Sequence, residues 1–210
     1  MGALSALFFA RVQAASFYRQ LHREAVQLLP PGEGRTWLDV GCGPGLVARL
    51  AAERGYHVTG IDIDPAMVRR ATLEARRNAS SAWFETASLA HLAERTRKAD
   101  VVSAASLLAV IEDRPAAVRQ LLQGVAQGGS LLLIEPSEKM TARAAADLRS
   151  RNALGRGAWV LSLWARTRVP RRAVGWDSTR VDGYDTQCHA LLEGLVQAWT
   201  IRRSSNDQAG

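Results

Sequence analysis

The stretch Asp39-Val40-Gly41-Cys42-Gly43-Pro44-Gly45 limits what this chain can become more than any other segment. It joins a short apolar run, Thr36 to Val40, to a helical stretch, Leu46 to Arg54, through three glycines and a proline. Glycine accepts backbone angles closed to other residues and lets the main chain approach a ligand with no side chain between them. The spacing therefore predicts a strand, a tight turn and a helix, with a bound cofactor beside the turn. Gly55 closes that helix, and a second strand, His57 to Ile61, ends in Asp62. A carboxylate there, 23 positions after Asp39, can accept hydrogen bonds from both hydroxyls of a ribose. Together the two elements predict an adenosyl cofactor. A nicotinamide cofactor fits less well, because its G-x-G-x-x-G fingerprint would need the third glycine one position beyond Gly45.

The alternation continues with strands at Ala82 to Thr86, Val101 to Ala105 and Ser130 to Ile134, and with a helix from Pro115 to Ala126. Strand and helix in strict succession predict an α/β fold, a doubly wound and mostly parallel sheet with right-handed crossovers. At 210 residues the chain reads as one domain. A leading helix lies within residues 1–30, carrying Val12, Ala15, Phe17, Leu21, Ala25, Leu28 and Leu29 at near-helical spacing before Pro30-Pro31-Gly32. The cofactor-binding core is expected at 36–136 and a helical insertion roofing the acceptor site at 138–185. A last helix, Thr186 to Val196, one strand, Ala198 to Arg203, and a disordered tail at 204–210 complete the reading.

The formal charge is +7, and it is concentrated: between Arg143 and Arg172 eight arginines face a single acid, Asp147. Such a stretch suits an anionic partner. Beside it, Trp159 and Trp164 sit in an apolar run and are candidate acceptor contacts, with a helix packed on the sheet and peripheral membrane contact as the other readings of the same pattern. No run approaches the length needed to span a bilayer. Cys42 and Cys188 are far apart and belong to no metal-spaced cluster, which points to a reduced, cytoplasmic protein without a structural metal.

The segments WLDVGCGPG, VTGIDIDPAMV, ADVVSAASLLAVIED and LLQGVAQGGSLLLIEP, in this order over residues 36 to 136, resemble the class I S-adenosylmethionine-dependent methyltransferases, in the branch acting on small molecules. The resemblance implies a Rossmann-like sheet and S-adenosyl-L-methionine as cofactor. It implies that Asp39, Gly41, Gly43 and Gly45, with Cys42 in the same loop, surround the methionine moiety. It further implies that Asp62 holds the ribose, that Ile63 and Met67 pack on adenine, and that Tyr18 on the leading helix lies over the pocket. Core packing is the alternative for Ile63, Met67 and Tyr18.

Three positions depart from the family pattern. Relatives often carry an acid near the end of the third strand that contacts adenine, where this chain has Ala87, and Ser88 is the nearest hydroxyl. The family's L-x-H-x-x-D stretch reads Leu108-Ala109-Val110-Ile111-Glu112-Asp113, so no histidine transfers to Val110. The family closes its sheet with a two-strand hairpin, whereas here one strand is expected, leaving the sheet one strand short. His22, Glu135 and His189 are the candidate bases for an acceptor that must lose a proton. The expected reaction is in-line transfer of a methyl group to an oxygen, nitrogen or carbon atom of a small molecule. A base-methylating enzyme would show an Asn/Asp-Pro-Pro-Tyr motif where this chain has Ser103-Ala104-Ala105-Ser106. A nucleic-acid or protein acceptor, or cofactor binding without transfer, are the other readings.

Overall fold

The computed structural model describes residues 9–92, 94–151, 154–155, 157–167 and 181–204. Arg156, Arg168, Arg171, Arg172 and the tail beyond Ser204 lie outside the described residues.

Seven strands form one sheet: β1 (Thr36–Val40), β2 (His57–Asp62), β3 (Trp83–Thr86), β4 (Ala99–Ala105), β5 (Val125–Pro136), β6 (Tyr184–Leu191) and β7 (Val196–Arg203). Their spatial order is β3-β2-β1-β4-β5-β7-β6. The first five run parallel, and β7 is antiparallel to both β5 and β6. The chain steps from β1 outward to β3, then returns to place β4 on the other side of β1. A crevice therefore opens beyond the carboxyl ends of β1 and β4, where open parallel sheets bind their ligands.

Besides the helical residues 9–13, the described α-helices are α1 (Ser16–Gln27), α2 (Leu46–Ala52), α3 (Pro65–Arg77), α4 (Arg114–Gln123), α5 (Ala142–Arg151) and α6 (Trp159–Thr167). Two starts follow the sequence closely. Asp64 caps α3 by accepting the Ala66 amide hydrogen, Asp113 caps α4 by accepting that of Ala116, and each helix has proline in its first turn. One apolar layer joins α1, α2, α3, α5 and α6 to one face of the sheet. The second layer packs α4 and the turn ending at Leu92 on the other face through Val102, Leu131, Leu133 and Trp199.

The C-terminal expectation is corrected. Residues 186–196 are not a helix: Tyr184–Leu191 is an edge strand, paired with β7 from Tyr184 opposite Arg203 to Leu191 opposite Val196. The sheet is therefore complete, with both strands of the closing hairpin. The chain turns between them through positive φ angles at Leu192, Glu193 and Gly194, which a continuing helix cannot accommodate. Smaller differences have similar causes. The leading helix is interrupted: residues 9–13 are helical, the chain turns at residues 14–15 with Ala15 extended, and α1 follows. Likewise α4 ends at Gln123, because Val125 pairs with Ala99 at the start of β5.

Candidate active site

The three glycines of the turn all have positive φ: Gly41 at 66°, Gly43 at 51° and Gly45 at 79°. They differ in what they admit. A side chain at Gly45 would meet the Phe84 ring and Ala71, and one at Gly41 would meet Leu107, so both glycines serve close packing around the loop. Gly43 faces only Gln13, whose amide nitrogen would stand 3.8 Å from an added Cβ. Its main chain is the part of the loop left open to a ligand. Cys42 is buried, and its amide donates to the Ile61 carbonyl, tying the turn to β2. Burial, with Asp39 and Asp62 close by, pushes its thiol well above the ordinary range. Arg49 is mostly buried on α2 and donates to the Pro44 carbonyl at 2.7 Å.

Asp62 ends β2 with both carboxylate oxygens engaged. Oδ2 accepts the Gly43 amide hydrogen and Oδ1 that of Asp64, each at 2.9 Å. The aspartate thus braces the glycine loop while its half-buried carboxylate keeps lone pairs for a ligand hydroxyl. Partial burial raises its pKa, opposed by the two amides. Ile63, the next residue, is 74% exposed at the strand tip. Met67, in the first turn of α3, is by contrast buried.

Asp39 is almost fully buried beside this loop. Ser103 on β4 donates to its Oδ1 at 2.7 Å, and Oδ2 is buried with no hydrogen-bond partner. Burial pushes this carboxyl up to about 7, against the Ser103 hydroxyl and the Ala48 amide, which favour the ion. A buried acid with one open oxygen and a glycine cradle are what an amino-acid ligand with an ammonium group requires. Gln13, at the end of the helical segment before α1, brings a second buried oxygen without a partner, its Oε1, to the same loop. These residues fit the methionine end of an adenosyl cofactor, and Asp62 with Ile63 fits its nucleoside end.

The remaining sequence candidates are dispersed. Tyr18 is buried, stacked on His22 at 4.3 Å and in edge contact with Trp164 at 5.2 Å. His22 is buried and its Nδ1 lies 2.8 Å from the Tyr18 carbonyl. Desolvation lowers its pKa to about 4, so it is neutral at pH 7. Glu135 is fully buried at the end of β5, where Oε1 accepts the Leu108 amide hydrogen at 2.8 Å and so anchors the loop after β4. His189 lies on edge strand β6 opposite Ala198, away from the glycine loop in the sheet order. Ser88 sits after β3 with its hydroxyl 2.7 Å from His91 Nδ1, and the neighbouring Ala87 amide donates to the Asp62 carbonyl. Trp164 is buried on α6, whereas Trp159 is 56% exposed.

Sequence reasoning missed Trp37, Ser103 and Gln13. For Ser103 a signal existed: it is a polar residue inside the apolar run Val101-Val102-Ser103-Ala104, which the structure places in register with Asp39. Gln13 carried none, because its place over the loop depends on the break before α1.

Among the described residues no helix is long and apolar enough to cross a membrane, and no group of three or more His, Cys, Asp or Glu residues could hold a metal.

The chain matches the family described as "Methyltransferase domain" over residues 11–181. It is 31% identical over 99 residues to the ubiquinone biosynthesis O-methyltransferase of Idiomarina loihiensis, covering 47% of this chain and 41% of that protein. It is 35% identical over 124 residues to the nocamycin O-methyltransferase of Saccharothrix syringae, covering 57% and 44%. The matched stretches thus span less than half the length of these relatives. Among solved structures, the magnesium protoporphyrin IX methyltransferase of Synechocystis with bound SAH shares the fold, with a TM-score of 0.61 at 21% identity over 89% of this chain and 84% of that one. With the family match extending over residues 11–181, from the helical segment before α1 through most of the insertion, the chain belongs to the methyltransferase-domain family.

Proposed function

We propose that this protein transfers a methyl group from S-adenosyl-L-methionine to a nucleophilic atom of a small molecule. The observation that carries this reading is the convergence of Asp39 Oδ2 and the Gly43 main chain with Asp62, whose carboxylate is braced on the same loop. S-adenosylmethionine, when bound, supplies a methyl group made electrophilic by its sulfonium.

In this reading Asp39 receives the ammonium group and Gln13 adds a polar contact over the loop. Asp62 receives the ribose hydroxyls, and Ile63 covers one face of the adenine. Gly41, Gly43 and Gly45, with Cys42, shape the loop that admits the ligand, and Met67 is assigned with Ile63 to the adenine. Ser88 stands at the adenine edge in place of the family's acid. Oxygen is the favoured acceptor atom, since the relatives named above are O-methyltransferases.

His22 is a weak base, its pKa lowered by burial, and Glu135 is engaged with the Leu108 amide. The reaction therefore relies on holding an acidic acceptor, such as a phenol or enol, in line within a dry crevice. Orientation of this kind can lower a barrier by roughly 7–11 kcal/mol. Loop residues Leu107 and Val110 after β4, and Trp159 on the insertion, are the acceptor-side contacts we assign; Trp164 is assigned to packing.

The test is calorimetric titration with S-adenosylhomocysteine, with NAD as the control ligand, followed by methyl-transfer assays on phenolic acceptors. Micromolar binding of S-adenosylhomocysteine alone, with transfer, is expected. Binding without transfer to any acceptor would favour a cofactor-binding protein, and binding of NAD instead would overturn the reading.

A further inference from the structure

Asp39 and Ser103 are register partners on adjacent parallel strands, and Trp37 sits two residues before Asp39 on the same face. The Trp37 indole N–H donates to Ser103 Oγ at 2.7 Å, and the Ser103 hydroxyl donates to Asp39 Oδ1 at 2.7 Å. All three side chains are essentially inaccessible to solvent. The direction of this chain is fixed by chemistry. An indole can only donate, so Ser103 must accept at one end and its single proton is then spent on Asp39. Reversing the second bond would leave a buried serine proton without an acceptor. Oδ1 is thereby reserved as an acceptor, and any proton taken up by Asp39 has to sit on Oδ2, the oxygen with no hydrogen-bond partner.

We propose that Ser103, oriented by Trp37, is a positioning residue that holds Asp39 as the anionic seat for the cofactor's ammonium group and so keeps the cofactor bound at neutral pH. This rests on the methyl-donor reading above. Burial already brings the Asp39 carboxyl up to about 7, and Asp62, the charged neighbour across the loop, adds to the rise. The Ala48 amide from α2 and the Ser103 hydroxyl from β4 oppose it. Cys42 faces the same carboxylate but is held as the neutral thiol. Removing the Ser103 hydroxyl takes away the stronger of these two opposing influences, so a larger share of Asp39 is neutral at pH 7. A neutral acid neither attracts an ammonium ion nor leaves Oδ2 open to it.

The experiment is calorimetric titration of the full chain with S-adenosylhomocysteine between pH 6 and pH 9, for the wild type, Ser103→Ala and Trp37→Phe. For the wild type, binding about tenfold weaker at pH 6 than at pH 8 is expected from a carboxyl titrating near neutrality. The ratio of wild-type to Ser103→Ala affinity should be about fivefold at pH 7 and approach one at pH 9, and taking the ratio at each pH cancels the ligand's own titration. Trp37→Phe, which keeps the ring but frees the hydroxyl, should shift the profile the same way by less. The Trp37 indole N–H resonance gives a readout independent of ligand: it should move as Asp39 titrates in the wild type and lose that dependence in Ser103→Ala. A ratio constant with pH would overturn the proposal, as would a flat wild-type profile from pH 6 to pH 8 if either variant failed to fold. Absence of S-adenosylhomocysteine binding by the wild type at every pH would instead sink the methyl-donor reading itself.

Discussion

Tyr18 of α1 and Trp164 of α6 meet edge to face with ring centroids 5.2 Å apart, which fastens the insertion to the leading helix. A second tie, from the Ser16 hydroxyl to the Leu154 carbonyl at 2.8 Å, runs alongside. The two tryptophans of the insertion therefore part company. Trp164→Ala should lower stability by ~3–5 kcal/mol through the cavity it leaves. Trp159→Ala should change stability by less than ~0.5 kcal/mol, because its ring is mostly exposed. Urea unfolding of both variants checks this, and equal losses would contradict the packing described.

Asp62 braces the glycine loop and is the residue we assign to the cofactor's ribose. Asp62→Ala releases the Gly43 and Asp64 amides and removes the ribose contacts assigned to it, so S-adenosylhomocysteine binding should weaken by ~1–3 kcal/mol. Asp62→Asn keeps one acceptor oxygen and should fall between the two in calorimetry. Unchanged affinity in Asp62→Ala would remove the ribose assignment.

The glycine turn, Asp62 and the first five strands could be read from sequence because each rests on local chemistry: positive φ at glycine, proline in a helix's first turn, apolar runs of strand length. The closing hairpin could not. Tyr184–Leu191 lies at the sheet edge with mostly exposed or half-buried side chains, so it lacks the apolar run that marks a buried strand. The spacing of Leu191, Leu192, Leu195 and Val196 mimics a helix, while the turn signal, Glu193-Gly194, is easily taken for a helix end. The site's deeper layer was hidden for another reason. That Trp37 reaches Asp39 through Ser103 depends on the register between β1 and β4, a pairing between residues far apart in sequence.

His22 makes stability depend on pH in a definite direction. Its pKa is lowered from 6.5 to about 4 by burial, so the unfolded chain takes up a proton below pH 6.5 that the folded chain refuses until about pH 4. Stability is therefore lost as pH falls through that window, by about 3 kcal/mol at most. Asp39 works the opposite way: its raised pKa lets the folded state bind a proton first, so its contribution improves as pH falls from about 7. The two trends offset one another in the wild type. His22→Gln isolates one of them, since it removes the titrating group and retains a side-chain amide to donate to the Tyr18 carbonyl. Relative to this variant, the wild type should lose stability steadily between pH 6.5 and pH 4 in chemical denaturation. A difference constant with pH would mean that the imidazole is not buried as described.

Gly45 and Phe84 give a test of what the third glycine is for. At Gly45 an added Cβ would lie 2.6 Å from the Phe84 ring and 3.0 Å from Ala71, and the backbone φ of 79° is unfavourable for any side chain. Gly45→Ala should therefore destabilise the fold, by ~1–2 kcal/mol from the backbone and ~1–3 kcal/mol from overpacking. Phe84→Ala alone should also destabilise, by leaving a cavity. The double variant should lose less than the two single losses together, since the new methyl enters space the ring has vacated, with a coupling of ~1 kcal/mol or more. Thermodynamic cycles from urea unfolding measure this directly. If the losses simply add, Gly45 is required for its backbone conformation alone, and the closeness of β3 to the loop has no energetic consequence.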